Sequence, residues 1–217
     1  MNVLNKSIEA LLLQKSSFHE SFKQTENWIE AISSKLQVKI DFGANLSDKK
    51  TIHQNLKRMQ QLISSHESIL NTLSEKATSM GEPAMKKRFD QAMKKYSDLN
   101  DTNKKNTKLT EKYVVEHEQL NNLLEKAADL ILHLNIELSV LADTPFDAEY
   151  TAKRIDTVNG LLKRKNEGNQ MHTHCEKVLV TGFSHNTKEG VSELHTEVKD
   201  LNKKWNDFIK DAESFKE

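Results

Sequence analysis

The sequence has one cysteine, two prolines, six glycines and no net charge, and each shortage excludes a class of protein. A lone Cys175 forms no internal disulfide, so the chain is not a disulfide scaffold and suits a reducing compartment. Two prolines and six glycines are too few for the turns of a sheet protein. The longest early apolar run, Ala10 to Leu13, is too short for a signal or membrane-spanning segment, so a soluble intracellular protein is expected. Lys plus Arg (32) balance Asp plus Glu (32), so the whole molecule has no general pull toward nucleic acid or an anionic membrane. No GxGxxG, GxxxxGKS, GxxxxGKT or HExxH motif occurs.

What is present is periodicity. The chain is 29% charged and 36% apolar, and its apolar residues recur at helical spacing, which argues against disorder. From Ala84 to Thr144, between Pro83 and Pro145, no glycine or proline interrupts the pattern. As one helix this stretch is ~90 Å long, which points to a coiled coil or helical repeat. Leu120, Leu124, Ala127, Ile131, Leu134, Leu138 and Leu141 form a seam of alternating four- and three-residue steps. Met85, Phe89, Ala92, Tyr96 and Leu99 keep the same rhythm, which lapses through Asn103, Asn106 and Thr110 before Tyr113. One continuous helix serving two successive bundles, with the lapse near their junction, is the reading.

In chain order, a first helix is traced by Leu4, Ile8, Leu11, Phe18, Phe22, Ile29, Ile32 and Leu36, with Trp28 beside the seam. It starts without a capping signal, as though cut from a longer chain. Val38 to Ser47, with Gly43, reads as a loop, and Ser47 or Asp48 is the expected cap. A second helix carries Ile52, Leu56, Met59, Leu62, Ile69, Leu73, Ala77 and Met80, ended by Gly81-Glu82-Pro83. After Pro145, Ile155, Val158, Leu161, Leu162, Met171, Cys175, Val178 and Leu179 trace a fourth helix. Gly160 and Gly168 inside it cost about 1 kcal/mol each relative to Ala, so it is the expected weak helix. Gly182 to Gly190 reads as a loop, and Val191, Leu194, Val198, Leu201, Trp205, Phe208 and Phe215 trace the last helix. The halves repeat. Trp28-Ile29 with Leu36 aligns with His133-Leu134 with Leu141. Leu56, Met59 and Leu62 align with Ile155, Val158 and Leu161, and Phe89, Tyr96 and Leu99 with Val191, Val198 and Leu201. The expected architecture is all-α: two three-helix left-handed coiled-coil bundles sharing one long helix in an elongated rod, residues 1–111 and 112–217.

These residues resemble the spectrin-repeat family, in which one repeat's last helix runs into the next repeat's first. The pattern is Trp28-Ile29 followed by Leu36 in a first helix, and Leu201 followed by Trp205 and Phe208 in a third. The resemblance covers essentially the whole chain. Each repeat keeps one of the family's two usual tryptophans: His133 stands in one such position and Asn103 in the other. Such degenerate repeats resemble those of the giant nuclear-envelope linkers (nesprins) more than spectrin itself, with spectraplakin- and dystrophin-like rods as alternatives. The resemblance implies a non-enzymatic rod segment, without cofactor, in a system joining actin to a membrane, with actin-organising proteins and neighbouring repeats as partners. It transfers no contact residue.

Few residues suggest chemistry. His172-Thr173-His174-Cys175 holds metal-ligand types, but residues two apart on a helix point ~200° apart and cannot grip one ion. Cys175 reads as a buried thiol among exposed histidines. His133, placed inward by the repeat, reads as a hydrogen-bonded packing residue rather than a pH sensor. Trp28 and Trp205 read as core anchors, and Met59, Met80, Met85 and Met93 as flexible core filling. One feature exceeds packing. From Ala84 to Lys112 nine Lys/Arg face four Asp/Glu, a net of +5, and from Tyr113 to Thr144 one Lys faces six Asp/Glu, a net of −5. Lys87, Lys94 and Lys108 take the outermost heptad position, flanked by Lys95, Lys104 and Lys105, a patch suited to an acidic protein partner. No aromatic residue interleaves them, which argues against nucleic acid. Competing expectations are a ligand-binding or enzymatic bundle, with a radius of gyration of ~17 Å if compact, and a homodimeric coiled coil.

Overall fold

The computed structural model describes residues 2–37, 42, 44–143, 148–183 and 185–215. Seven helices and no strand occur among the described residues: α1 Asn2–Gln37, α2 Leu46–Ser65, α3 Glu67–Met80, α4 Pro83–Ala142, α5 Ala148–Lys163, α6 Lys165–Gly182 and α7 Lys188–Ser214. Half of the expected loop from Val38 to Ser47, including Gly43, lies outside the described residues, as do Thr144, Pro145 and the side chain of Leu4.

Helix boundaries follow local chemistry. The cap of α2 is Asn45, not Ser47 or Asp48: its Oδ1 accepts the Asp48 amide at 2.9 Å, which satisfies a donor that the helix leaves free. Gly81 ends α3 in the left-handed conformation at φ 65°, with its N–H donating to the Thr78 carbonyl. Pro83 opens α4, where its missing N–H costs nothing. Thr187 caps α7 by accepting the Gly190 amide at 3.1 Å. The expected second helix is two helices, broken at His66, and the expected fourth is broken at Arg164. Both breaks are one residue long and close in the same way. His66 N donates to Ile63 O and Arg164 N to Leu161 O, and the chain resumes as Leu70 N bonds His66 O and Gly168 N bonds Arg164 O.

The chain forms two compact units. The first comprises Met1–Ile40 and Thr51–Glu111. Its core joins Phe18, Phe22, Ile29, Ile63, Leu70, Leu73, Met85, Phe89 and Leu99, with Trp28, Met59, Met80 and Met93 packed against it. Phe22 stacks on Phe18 and tilts against Phe89 at centroid distances of 5.9 and 6.1 Å. Each such side chain contributes roughly 1.5–3 kcal/mol on burial. Residues 5–17 of α1 are all exposed, so Ile8 and Leu11 are not core as expected. Lys15 pairs with Glu82 at the α3–α4 corner. Leu62 and Ile69 are also exposed.

The second unit comprises Asp41–Lys50 and Lys112–Glu217. One core cluster joins Ala127, Ile131, Leu134, Leu138, Leu161, Trp205, Phe208 and Ile209, and another Leu120, Cys175, Leu179, Phe183, Leu194 and Val198. Gly168 is the small half of a large–small pair: a Cβ there would fall 2.1–2.4 Å from the Trp205 indole. Trp205 Nε1 donates to Asn169 Oδ1 at 2.9 Å, so the buried indole keeps its hydrogen bond. His133 is exposed rather than inward, with Nδ1 2.7 Å from the Asp129 carbonyl. Ile131 and Leu134 take the buried positions beside it, and Ile155 is likewise exposed.

Candidate functional site

The basic residues of α4 lie on its solvent side. Met85, Phe89, Ala92, Tyr96, Leu99 and Asn103 take the buried positions, so Lys87, Lys94, Lys95, Lys104, Lys105 and Lys108 are all exposed. Lys95 Nζ lies 3.5 Å from a carboxylate oxygen of Glu30, and the neighbouring Arg88 pairs with Glu26. No ion pair among the described residues engages Lys87, Lys94, Lys104, Lys105 or Lys108. Five ammonium groups therefore stand free, all in the first unit.

Where the apolar rhythm lapses, the first unit holds a buried polar network. Asn103 is fully buried and its Nδ2 donates to Leu56 O at 3.2 Å and Gln60 Oε1 at 2.9 Å. Gln60 Nε2 donates to Asn100 Oδ1 at 2.7 Å, and His53 Nδ1 lies 3.1 Å from Thr110 Oγ1. These bonds satisfy most of the groups, although Asn103 Oδ1 has no partner. Asn103 and Thr110 thus form part of the core of this unit as polar members.

A second cluster has no counterpart in the sequence-based expectations. Lys49, in the first turn of α2, is 1% exposed within the second unit. Its Nζ lies 3.4 Å from His185 Nε2 and 4.6 Å from the centre of the Phe183 ring. His185 stacks on Tyr113 at 3.3 Å between centroids, and Phe42 stands edge-on to both rings. His117 stands edge-on to Phe183 at 5.1 Å. Burial pushes Lys49 down to about 8, against the attraction of Glu116. Burial, reinforced by the Lys49 charge, pushes His117 and His185 down to about 4. His117 Nδ1 and Asn186 Oδ1 are buried without hydrogen-bond partners. One signal was available: Tyr113, His117, Leu120 and Leu124 continue the four–three step.

His172 and His174 do not converge. His172 is half-buried and pairs with Glu176 at 3.2 Å, while His174 is exposed. Cys175 is buried, and burial raises its thiol pKa. No group of three His, Cys, Asp or Glu side chains among the described residues could hold a metal ion. No helix among them is long and apolar enough to cross a membrane.

Over 209 residues, or 96% of its length, the chain is 26% identical to the Drosophila melanogaster protein named muscle-specific protein 300 kDa. It spans about 2% of that relative's length. No protein-family model matches the chain, and no solved structure does. The similarity and the all-helical structure fit a spectrin-like repeat.

Proposed function

We propose that the chain is a non-enzymatic rod segment: two spectrin-like repeats, residues 1–111 and 112–217, sharing α4 within a giant cytoskeletal linker. The observation that carries this reading is the similarity itself, which runs through 96% of the chain yet occupies 2% of the relative. Such a segment spaces and transmits force, because each seam is buried only when its three helices close and a continuous helix couples neighbours. The linker is of the nesprin type, coupling actin to the nuclear envelope from its cytoplasmic face. The free ammonium groups of Lys87, Lys94, Lys104, Lys105 and Lys108, with Lys95 beside them, dock an acidic, actin-organising protein.

A pull-down from lysate tests this, comparing the unaltered chain with a variant carrying Lys87, Lys94, Lys104, Lys105 and Lys108 changed to Glu. The expected result is an acidic actin-organising protein, identified by mass spectrometry, that the unaltered chain retains and the variant loses at equal helicity. Equal capture by both overturns the docking surface. A second reading is a pure spacer in a spectraplakin-, dystrophin- or spectrin-type cortical protein. It is favoured by Asp90, Asp98 and Asp101, also exposed on α4, which dilute the patch. Under that reading neither chain captures anything.

A further inference from the structure

We propose that Lys49 and the aromatic box around it form a pH-sensitive latch that fastens residues 44–50 to the rest of the second unit. The segment is held by close contact and opposed by buried charge. On the holding side, the α7 backbone at Gly190 approaches Ala44 so closely that a Cβ on Gly190 would fall 2.7 Å from the Ala44 Cα. Asn186 Nδ2 donates to the Ala44 carbonyl at 3.4 Å, Lys50 pairs with Glu118 at 2.7 Å, and Phe42 closes on Tyr113 and His185. On the opposing side, the Lys49 ammonium is removed from water. A ring face returns only part of that cost.

The charges facing Lys49 are unevenly matched. From α4, Glu116 attracts it, but Glu116 also lies 3.6 Å from Lys112 Nζ. His117 on the same helix and His185 in the α6–α7 connection offer no negative charge, and Lys112 adds a positive one near His185. On α2, Asp48 is exposed and Lys50 is engaged by Glu118. From α7, Glu193 and Glu197 line a groove of about 470 Å³ beside His117, together with Asn121 and Ser47. One carboxylate, already shared with Lys112, therefore offsets the buried Lys49 charge, and His117 and His185 stand beside it without a carboxylate partner of their own among the described residues. Adding a proton to either histidine puts like charges side by side, and removing one from Lys49 relieves the burial cost.

The direction follows from the folded values. Lys49 titrates near 8 in place and near 10.5 when released, so raising the pH from 7 to 9 favours the closed latch by about tenfold. His117 and His185 titrate near 4 in place and near 6.5 when released, so lowering the pH from 7 to 5 favours opening by at least tenfold. The latch closes with base and opens with acid.

Amide hydrogen exchange of Lys49 to His53 on the intact 217-residue chain, corrected for intrinsic pH dependence, tests the latch. The expected protection rises about tenfold from pH 7 to 9 and falls at least tenfold from pH 7 to 5. Lys49→Met removes the titrating charge without opening a cavity, and it should flatten the alkaline limb. Proton NMR on the unaltered chain follows the His117 and His185 rings and should show both neutral at pH 5.5. Protection that does not change with pH, an alkaline limb that survives in Lys49→Met, or histidines titrating near 6.5 would each overturn the proposal.

Discussion

Gly160, exposed in the last turn of α5, and Gly168, buried in the first turn of α6, are equal on propensity, yet their surroundings separate them. Among the described residues, its own helix backbone aside, nothing lies within 4 Å of a Cβ built on Gly160, whereas one on Gly168 would overlap the Trp205 ring. Gly160→Ala should therefore stabilise the second unit by about 0.5–1 kcal/mol, through the extra backbone entropy that glycine loses on folding. Gly168→Ala should cost about 2 kcal/mol, because the indole must leave its rotamer and its bond to Asn169. Urea unfolding followed by circular dichroism reads both. Equal effects would mean that the Gly168–Trp205 pair does not shape this core. The sequence shows both glycines but not what faces them, since a contact between residues 168 and 205 is absent from any local window.

At the scale of the element, α4 shows what periodicity reveals and what it hides. The long run without glycine or proline makes a 60-residue helix legible, and the seam residues Leu120, Ile131, Leu134 and Leu138 are buried as their spacing predicts. The lapse at Asn103, Asn106 and Thr110 is also visible. Its content is not: two of the three lie in the core, held by Leu56, Gln60 and His53. The Thr110 hydroxyl also donates back to the Asn106 and Thr107 carbonyls, competing with the helix ladder there. Amides 103–110 should thus exchange at least about tenfold faster than those of 120–138, a difference of ~1.4 kcal/mol in opening. Equal protection would show that the polar network holds the helix as firmly as the leucine seam. Pattern reading places His133 inward because it aligns with Trp28, but alignment carries register only where the partner helices also repeat. It assigns Val38 to Ser47 to a loop and gives Lys49 no role, because a lysine in a first helical turn reads as solvated unless the distant rings that enclose it are known.

Across the whole molecule, the two units differ in how their buried groups respond to pH. In the second, Lys49 near 8 and His117 and His185 near 4 all disfavour the charged form. The unfolded chain binds protons at both histidines from about 6.5 downward while the folded unit does not until about 4, so this unit loses stability as pH falls across that window. Between pH 8 and 10.5 the unfolded chain keeps the Lys49 proton that the folded unit has released, so stability rises with pH there. Cys175, raised by burial, opposes this gain as pH approaches and passes its ordinary value of 9.0, so the gain is clearest below that value. In the first unit burial lowers one histidine, His66, stacked at 3.6 Å on Trp28. Burial raises Tyr96, which loses stability only above its ordinary value of 10.0. Each unit carries one tryptophan, so Trp28→Phe leaves Trp205 to report the second and Trp205→Phe leaves Trp28 to report the first. From pH 7 to 9 the Trp205 transition should gain about 1.4 kcal/mol while the Trp28 transition holds. From pH 7 to 5 the Trp205 transition should lose more than the Trp28 transition, with two histidines lowered well below their ordinary value against His66 alone. If instead both tryptophans follow one curve at every pH, the units unfold as a single cooperative body, and α4 transmits the cost of protonating the Lys49 box into a core that does not contain it.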